Sequence, residues 1–463
     1  MHTLEQLRSG ALAGTRRLDL AADLDTFPQE VFELADTLEV LNLSGNRLTT
    51  LPHDLNRLHR LKVVFASGNP FTVLPEALGD CPLLEMVGFK SCRLVQVPEA
   101  SLPPRLRWLT LTDNHVLSLP RSLGERSQLQ KLMLAGNRLT QLPPGLAQAH
   151  HLELIRLSAN GLTQLPGWLT ELPALAWLAL AGNPLGWPQA APIQPLPTVA
   201  WGRLQMGERL GEGASGQVVR AEVPGAGGAL ALKVFRGAVT SDGLPEHELA
   251  ACRAAGQHPA LCTPVAELAD HPQGLAGLLL PLIPPSHTVL ANPPSLQSCT
   301  RDVYPDGLRL HMGTVLYLAR QMAGAVAHLH ARGVVHGDVY AHNILWNPTA
   351  GQATLTDLGA ATLLPRHDPA LARALAAVEV RAFGVLLAEL LALATPAGDT
   401  RPPPADERGA QAERLAMQAL AQACLSPVPA ERPSMPDVVA CLSTIAAATD
   451  IATDSATHPL PLS

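Results

Sequence analysis

The stretch LEVLNLSGNRLTTLP, residues 38–52, decides the architecture of the amino-terminal half because it recurs along the chain. Its clearest further copies are LQKLMLAGNRLTQLP (residues 129–143) and LELIRLSANGLTQLP (residues 152–166). From Gly14 to about Pro188 one position of this pattern returns eight times, at intervals of 23 residues with a single interval of 22. The eight occurrences are Asp23, Asn46, Asn69, Cys92, Asn114, Asn137, Asn160 and Asn183. Such a regular period predicts a stack of similar structural units.

The pattern LxxLxLxxNxL resembles that of leucine-rich repeats, in which cysteine also occupies the asparagine position. Each LxL segment is predicted to be a short parallel strand with its leucines in a shared core. The asparagine amide is expected to bond the backbone groups of adjacent turns. One repeat cannot bury its apolar face alone, whereas eight stacked repeats can. The resemblance implies an α/β solenoid of horseshoe shape over residues 1–188, with LPxxL on its convex side.

Residues that alternate with the core leucines are expected to face the concave surface. The lane just before the central leucine is mostly apolar and includes two tryptophans. If it is exposed, such a lane favours binding of a protein partner. Packing of the lane against the second half of the chain is the alternative, and the sequence favours neither. The lane consists of Val40, Val63, Met86, Trp108, Lys131, Leu154 and Trp177.

Composition places the chain among globular proteins with more than one domain. Its 463 residues exceed one core of ordinary size, with 47% hydrophobic and 16% charged residues. The net charge of -7 and the lack of a basic run interleaved with aromatics argue against a nucleic-acid partner. The proline-dense segment PLGWPQAAPIQPLP, residues 184–197, predicts a stiff linker. We expect the linker at residues 189–200, a second domain at 201–447 and a flexible tail at 448–463.

Several features indicate a cytoplasmic protein that does not contact a membrane. The amino terminus lacks the features of a secretory signal. The apolar runs GLAGLLLPLI (residues 274–283) and VLLAELLALA (residues 385–394) have about half the length of a membrane span, and we interpret them as a buried strand and a buried helix. The seven cysteines are odd in number and lack CxxC spacing, which favours free thiols in a reducing compartment.

The second half opens with a glycine-rich turn in LGEGASGQVV, residues 210–219. Gly211, Gly213 and Gly216 have the form GxGxxGxV, in which glycines let backbone amides approach phosphates. Val218 follows in a segment typical of a strand, which favours a kinase-type loop over a dinucleotide-binding helix.

The strand ALALKVF, residues 229–235, contains Lys233, the only lysine after residue 131. A buried lysine is unfavourable without an anionic partner. Glu248 is the expected partner and Glu246 is the alternative. The strand GLLLPLIPP, residues 277–285, has the features of a hinge, with Leu280 near the position that controls access behind the nucleotide.

Two further segments carry acidic and amide side chains. HGDVYAHNIL, residues 336–345, contains Asp338 and Asn343, and TLTDLGAA, residues 354–361, presents Asp357. With Lys233 and Glu248 they stand in the order and spacing of the protein kinase superfamily, which the chain resembles from about residue 202 to 445. EVRAFGVLLAELL (residues 379–391) and CLSPVPAERPSM (residues 424–435) add to this resemblance. Repeats followed by a kinase, in a chain with few lysines, resemble a cytosolic bacterial leucine-rich repeat kinase.

The resemblance implies an α+β bilobal domain that uses ATP and Mg²⁺. Asp338 is implied as the residue that accepts or orients the attacking hydroxyl, with Lys233 and Glu248 completing the catalytic set. Asn343 and Asp357 are implied as the magnesium ligands. The implied nucleotide-binding residues are Gly211, Glu212, Gly213, Gly216, Val218, Lys233, Leu280 and Leu282.

The chain departs from the kinase pattern at several positions. Gly337 replaces the arginine that receives a phosphorylated activation loop, and Tyr340 replaces the lysine of Ser/Thr kinases, for which His342 is a weaker substitute. Only 22 residues separate Asp357 from Glu379, so the platform for a peptide substrate is expected to be short.

These departures leave three hypotheses. The first is an active protein kinase, of Ser/Thr type, whose repeats select a protein. The second is a small-molecule kinase, because HGDxxxxN also resembles aminoglycoside and choline phosphotransferases. The third is a nucleotide-binding pseudokinase on an interaction scaffold.

Overall fold

The computed structural model describes residues 2–187, 196–212, 216–225, 227–235, 240, 242–395 and 405–457. Two compact units are present. The first contains Met1–Gly186 together with Ala238–Leu244, and the second contains Trp187–Gly237 and Pro245–Ser463. Within the described residues, no helix combines the length and the apolar character that a membrane span requires.

The first unit is built on one sheet of eight short parallel strands in sequential order. Its strands are β1 (Arg17–Asp19), β2 (Val40–Asn42), β3 (Val63–Phe65), β4 (Met86–Gly88), β5 (Trp108–Thr110), β6 (Lys131–Met133), β7 (Leu154–Arg156) and β8 (Trp177–Ala179). Its helices are α1 (Leu4–Arg8) and α2 (Trp168–Glu171), and short 3-10 turns form most of the return segments. The predicted solenoid of parallel strands is confirmed.

The asparagines at the repeated position, which we call the ladder asparagines, link successive repeats through hydrogen bonds to the backbone. Asn137 is buried, and its Oδ1 accepts a hydrogen bond from the Val116 amide at 3.0 Å. Its Nδ2 donates to the carbonyls of Leu111 and Leu134 at 2.8 and 2.9 Å. Cys92 occupies the same position, and its thiol Sγ donates to the carbonyl of Ala66 at 3.2 Å. The ladder thus satisfies backbone groups that strands of three residues leave unpaired.

The lane on the concave face is in register from strand to strand, but most of it is not exposed. Val63, Met86, Leu154 and Trp177 are only 5, 3, 4 and 1% exposed, and Trp108 is half-buried. Of the two possibilities that the sequence left open, exposure of the lane does not hold for these four residues.

Two contacts within the first unit lie on the same concave face as the lane. Strands about 4.8 Å apart bring large side chains in register against each other, and the Lys131 ammonium lies 4.0 Å from the ring centroid of Trp108. On the same face, Arg156 forms an ion pair with Asp242 of the segment 238–244, with Nε and Oδ1 2.8 Å apart.

The second unit begins with a twisted sheet that carries one helix. Its elements are β9 (Thr198–Ala200), β10 (Gln205–Glu212), β11 (Gly216–Glu222), β12 (Ala229–Phe235), α3 (Pro245–Ala255), β13 (Ala266–Ala269) and β14 (Gly277–Pro281). The strand order is β10-β11-β12-β14-β13-β9, with every pairing antiparallel except that between β13 and β9. The last residues of the predicted linker are thus not a spacer, because β9 extends this sheet at its edge.

The rest of the second unit is mainly helical, with short strands around the predicted catalytic loop. The elements are β15 (Thr288–Val289), α4 (Met312–Ala331), β16 (Val334–Val335), β17 (Ile344–Trp346), β18 (Ala353–Leu355), β19 (Thr362–Leu363), α5 (Pro369–Leu393), α6 (Ala405–Cys424) and α7 (Met435–Thr457). The two apolar runs of the sequence form the buried strand β14 and the buried part of α5, as predicted.

Two helices extend beyond the segments that the sequence singled out. Helix α5 begins at Pro369, ten residues before the kinase-like segment 379–391, because the side chain of Asp368 caps the amides of Ala370 and Leu371. Helix α7 runs to Thr457, so the first ten residues of the predicted flexible tail are helical. That stretch contains neither glycine nor proline, and nothing in it ends a helix.

Loss of one ladder amide should destabilise the first unit. Asn137→Ala leaves an amide and two carbonyls without their buried partner, and we expect its free energy of unfolding to fall by about 2–4 kcal/mol. Urea denaturation followed by far-UV circular dichroism measures the change. Asn56→Ala, at an exposed asparagine of the same unit, is the control and should shift stability by less than about 0.5 kcal/mol. Equal effects in the two variants would contradict the role of the ladder.

Candidate active site

A buried ion pair joins strand β12 to helix α3. The Nζ of Lys233 lies 2.6 Å from Oε1 of Glu248, and both residues are buried. The alternative partner, Glu246, is exposed on the same helix. Lys233 Nζ also lies 3.7 Å from Oδ1 of Asp357. Burial by itself lowers the pKa of Lys233, but the charges of Asp357 and Glu248 outweigh it and raise that pKa above the ordinary value. Lys233 is therefore a fixed cation.

Strand register places apolar side chains on the same face of the sheet as Lys233. Val218 of β11 and Leu278 of β14 are its direct neighbours in the antiparallel pairing. Leu280 pairs with Ala231, two residues from Lys233, and so faces the same side. Lys233 is thus flanked on this face by apolar side chains. Leu282 follows the end of β14.

The glycine-rich turn contributes a packing constraint that the sequence reasoning missed. A Cβ built on Gly216 would lie 2.2 Å from the carbonyl oxygen of Val234, whereas one on Gly211 would have nothing within 4 Å. Gly216 thus allows β11 to approach β12 closely. Glu212 ends β10 and accepts a hydrogen bond from Arg209 at 2.8 Å. Gly213 lies outside the described residues.

The loop between β16 and β17 brings Asp338 and Asn343 together. The Nδ2 of Asn343 donates to Oδ2 of Asp338 at 2.7 Å and to the Asp338 carbonyl at 2.9 Å. The carboxylate is therefore oriented by an amide five residues along the chain. The Thr356 amide and hydroxyl bind the carbonyl of Asn343 at 2.8 and 2.9 Å, which joins this loop to the segment of Asp357.

A buried glutamate fixes the start of the same loop. Glu379 is 3% exposed; its Oε1 accepts the Gly337 amide at 2.6 Å and its Oε2 contacts Nε2 of His330 at 2.8 Å. Burial alone raises the pKa of Glu379, but the contacts with His330 and Gly337 outweigh it, so the pKa is held below the ordinary value. Gly337 has a φ of 74°, a conformation that suits glycine better than the arginine it replaces.

His336 is completely buried and connects the loop to the segment before Asp357. Its Nε2 contacts the carbonyl of Thr356 at 3.1 Å, and since a carbonyl only accepts, this nitrogen donates. Its Nδ1 then accepts the amide of Asp338 at 3.3 Å. Asp357 follows with a φ of 64°, and its Oδ1 accepts the Gly359 amide at 3.0 Å.

Sequence reasoning missed two partnerships of this site. Arg432, in the kinase-like segment 424–435, donates to the carbonyls of Ser426 and Ala377, each at 2.9 Å. Burial lowers its pKa to about 10. His342 contacts the buried Asp302 through both its amide and its ring. Asp302 lies in a proline-rich insertion and carried no motif that could have identified it.

Comparison with known families agrees with this geometry. A family model described as protein kinase domain matches residues 204–441, which is more than half of the chain. Models described as leucine rich repeat match residues 127–185 and 37–58. No curated protein matches the chain. The chain belongs to the protein kinase family and carries leucine-rich repeats ahead of its kinase domain.

Asn343 and Asp357 have the chemistry of magnesium ligands. Mg²⁺ prefers oxygen donors and is often held by one or two protein groups together with substrate phosphates. The Nδ2 of Asn343 is engaged with Asp338, which turns the amide oxygen to the other side. Asp357 is half exposed, with side-chain exposure of 51%. In the part of the chain that the structure describes, no cluster of three or more His, Cys, Asp or Glu could hold a metal without such help.

The two glycines that the structure describes in the turn should respond differently to alanine. Gly216→Ala forces a Cβ against the Val234 carbonyl, so we expect a lower melting temperature of the kinase unit and weaker ATP binding. Gly211→Ala is the control and should leave the melting temperature unchanged, because no atom lies near its Cβ position. Differential scanning fluorimetry with and without ATP checks both. If Gly211→Ala lowered the melting temperature as much as Gly216→Ala, the packing argument would fail.

Proposed function

We propose that the second unit transfers the γ-phosphoryl group of ATP to serine or threonine hydroxyls of proteins. The observation that carries this proposal is the joint placement of two contacts, Lys233 with Glu248 and Asp338 with Asn343. Retention of both in a chain that has only one lysine after residue 131 supports an active kinase over a relic.

Each group has a distinct role in the proposed reaction. Lys233, kept charged by Glu248, would hold the α- and β-phosphates of ATP. Asp338 would orient the acceptor hydroxyl and take its proton as the new oxygen–phosphorus bond forms and the bond to the ADP oxygen breaks. Asn343 and Asp357 would hold magnesium, which supplies charge neutralisation on the phosphate oxygens when bound. Val218, Leu280 and Leu282 would contact the adenine.

The repeats, by this proposal, bind a protein partner or substrate. Stacked repeats provide extended surfaces for such binding. The lane of Val63, Met86, Leu154 and Trp177 is largely buried, so it is a weaker candidate surface than the sequence indicated. Val73, Val95 and Leu117, on three successive repeats, are 40, 37 and 54% exposed and are better placed for an apolar contact.

A scaffold function is the alternative that a specific observation favours. Only residues 358–368 separate Asp357 from helix α5, which leaves little chain for a platform that holds a peptide substrate. A pseudokinase that binds nucleotide, or a kinase for a small molecule, would not need this platform. Tyr340 also favours these alternatives, because this buried tyrosine occupies the position of the lysine that steadies the γ-phosphate in Ser/Thr kinases.

Transfer of label from γ-labelled ATP to protein, in the presence of Mg²⁺, tests the proposal. We expect incorporation by the wild type and a loss of about 100-fold or more in Asp338→Asn, which keeps the shape of the side chain but cannot accept the proton. Glu248→Gln should also lose activity, because Lys233 loses its buried counter-ion. Glu246→Gln alters the exposed glutamate two residues earlier and should keep wild-type activity.

The alternatives predict different outcomes of the same assay. ATP binding without transfer to any acceptor would identify a scaffold. Label on aminoglycosides or choline, but not on protein, would identify a small-molecule kinase. Equal incorporation by the wild type and Asp338→Asn would remove Asp338 from the mechanism.

A further inference from the structure

A segment without α-helix connects the hinge strand β14 to helix α4 and runs beside the catalytic loop. We call residues 287–310 the brace segment. Its strand β15 pairs antiparallel with β17, directly after Asn343. The Leu290 amide donates to the carbonyl of Ile344 at 2.9 Å. Further on, Asn292 and Val303 exchange two backbone hydrogen bonds of 2.8 and 3.0 Å, which close the segment into a hairpin-like loop.

The far end of the brace segment is anchored to the core of the unit. The hydroxyl of Tyr304 donates to Oε2 of Glu389 on α5 at 3.0 Å. The Leu310 amide binds the carbonyl of Leu393 at 3.0 Å, at the end of the same helix. The segment is thus fastened at one side to β17 and at the other to α5. Residues between these anchors are held in place.

Asp302 lies between the anchors and projects a carboxylate onto the catalytic loop. Its side chain is completely buried, with 0% exposure. One oxygen accepts the backbone amide of His342 at 2.9 Å, and the other contacts Nδ1 of the same residue at 2.7 Å. A carboxylate accepts only, so Nδ1 donates. Both the neutral imidazole with hydrogen on Nδ1 and the charged form can donate in this contact.

The contact between Asp302 and His342 matters because His342 directly precedes Asn343 in the catalytic loop. The side-chain amide of Asn343 orients the carboxylate of Asp338 by donating to it at 2.7 Å. The His342 ring also packs on the ring of Tyr340, with centroids 4.9 Å apart. Fixing the backbone of His342 therefore fixes the residue on which the orientation of Asp338 depends.

We propose that Asp302 is a positioning residue that clamps the catalytic loop in its working geometry. It holds the late part of the loop through His342, as Glu379 holds the early part through the Gly337 amide. Both holds are buried carboxylates that accept backbone amides, and such charge-assisted bonds are stronger than neutral ones. The loop is thereby organised without an arginine at position 337 to receive a phosphorylated activation segment.

This inference rests on the proposed function only for its catalytic consequence, and amide hydrogen exchange tests the clamp by itself. The full chain is compared as wild type, Asp302→Ala, Asp302→Asn and Asp306→Asn. We expect Asp302→Ala to speed exchange at the amides of residues 337–346 by about tenfold or more. Asp302→Asn keeps one acceptor oxygen and should have a smaller effect. Asp306→Asn changes an exposed aspartate of the same segment and should have none.

Two exchange results would overturn the proposal. One is unchanged exchange in residues 337–346 of Asp302→Ala. The other is a rise spread evenly over the whole second unit in both Asp302 variants, which would assign Asp302 to general stability.

Kinetics then separate positioning from folding. With Mg²⁺ and ATP, Asp302→Ala should lower kcat by about 10- to 100-fold. KM for ATP should stay within about twofold, because Lys233 and Glu248 do not contact the clamp. Asp302→Asn should recover part of the loss, and Asp306→Asn should match the wild type.

Two kinetic outcomes would contradict part of this account. A rise in KM for ATP with unchanged kcat would contradict a role in positioning Asp338. If the wild type transferred no phosphate at all, the proposed function would fail, and the exchange result alone would decide whether Asp302 clamps the loop.

Discussion

The ion pair between Lys233 and Glu248 is the contact on which the proposed chemistry depends. A lysine in an apolar strand is unfavourable unless its charge is matched, and here a 2.6 Å contact from helix α3 matches it. Asp357 lies 3.7 Å from the same ammonium, so one cation relates β12, α3 and the segment after β18. Removing Glu248 would take the closest counter-ion from this buried ammonium, whereas removing Asp357 would end the contact between the segment after β18 and Lys233.

Departures from the usual kinase motif have structural compensation. Gly337 adopts a φ that suits glycine, and its amide donates to the buried Glu379 of α5. The guanidinium of Arg432 donates to two backbone carbonyls. The short segment after Asp357 ends in a capped helix instead of a long activation loop. These contacts are made by the unphosphorylated chain, which is consistent with a kinase domain that is organised without phosphorylation.

The period of the repeats made the fold of the first unit predictable, and the chemistry of a lysine in an apolar strand made part of the site predictable. A 23-residue period requires stacked strands, and a single lysine in an apolar strand requires a carboxylate. Other features depend on contacts between distant segments that leave no local pattern. Asp302, for example, contacts His342 across 40 positions. The start of α5, by contrast, does have a local pattern, because Asp368 followed by Pro369 is a helix-start signal.

A single-turnover experiment tests the central claim most directly. Protein in excess over γ-labelled ATP and Mg²⁺ is quenched at intervals, and ADP and phosphorylated protein are quantified together, with Asp357→Asn as the comparison. An assembled kinase site predicts that ADP and phosphoserine or phosphothreonine rise together in the wild type and that both are nearly absent in the variant. ATP that binds the wild type and remains intact throughout would contradict the account.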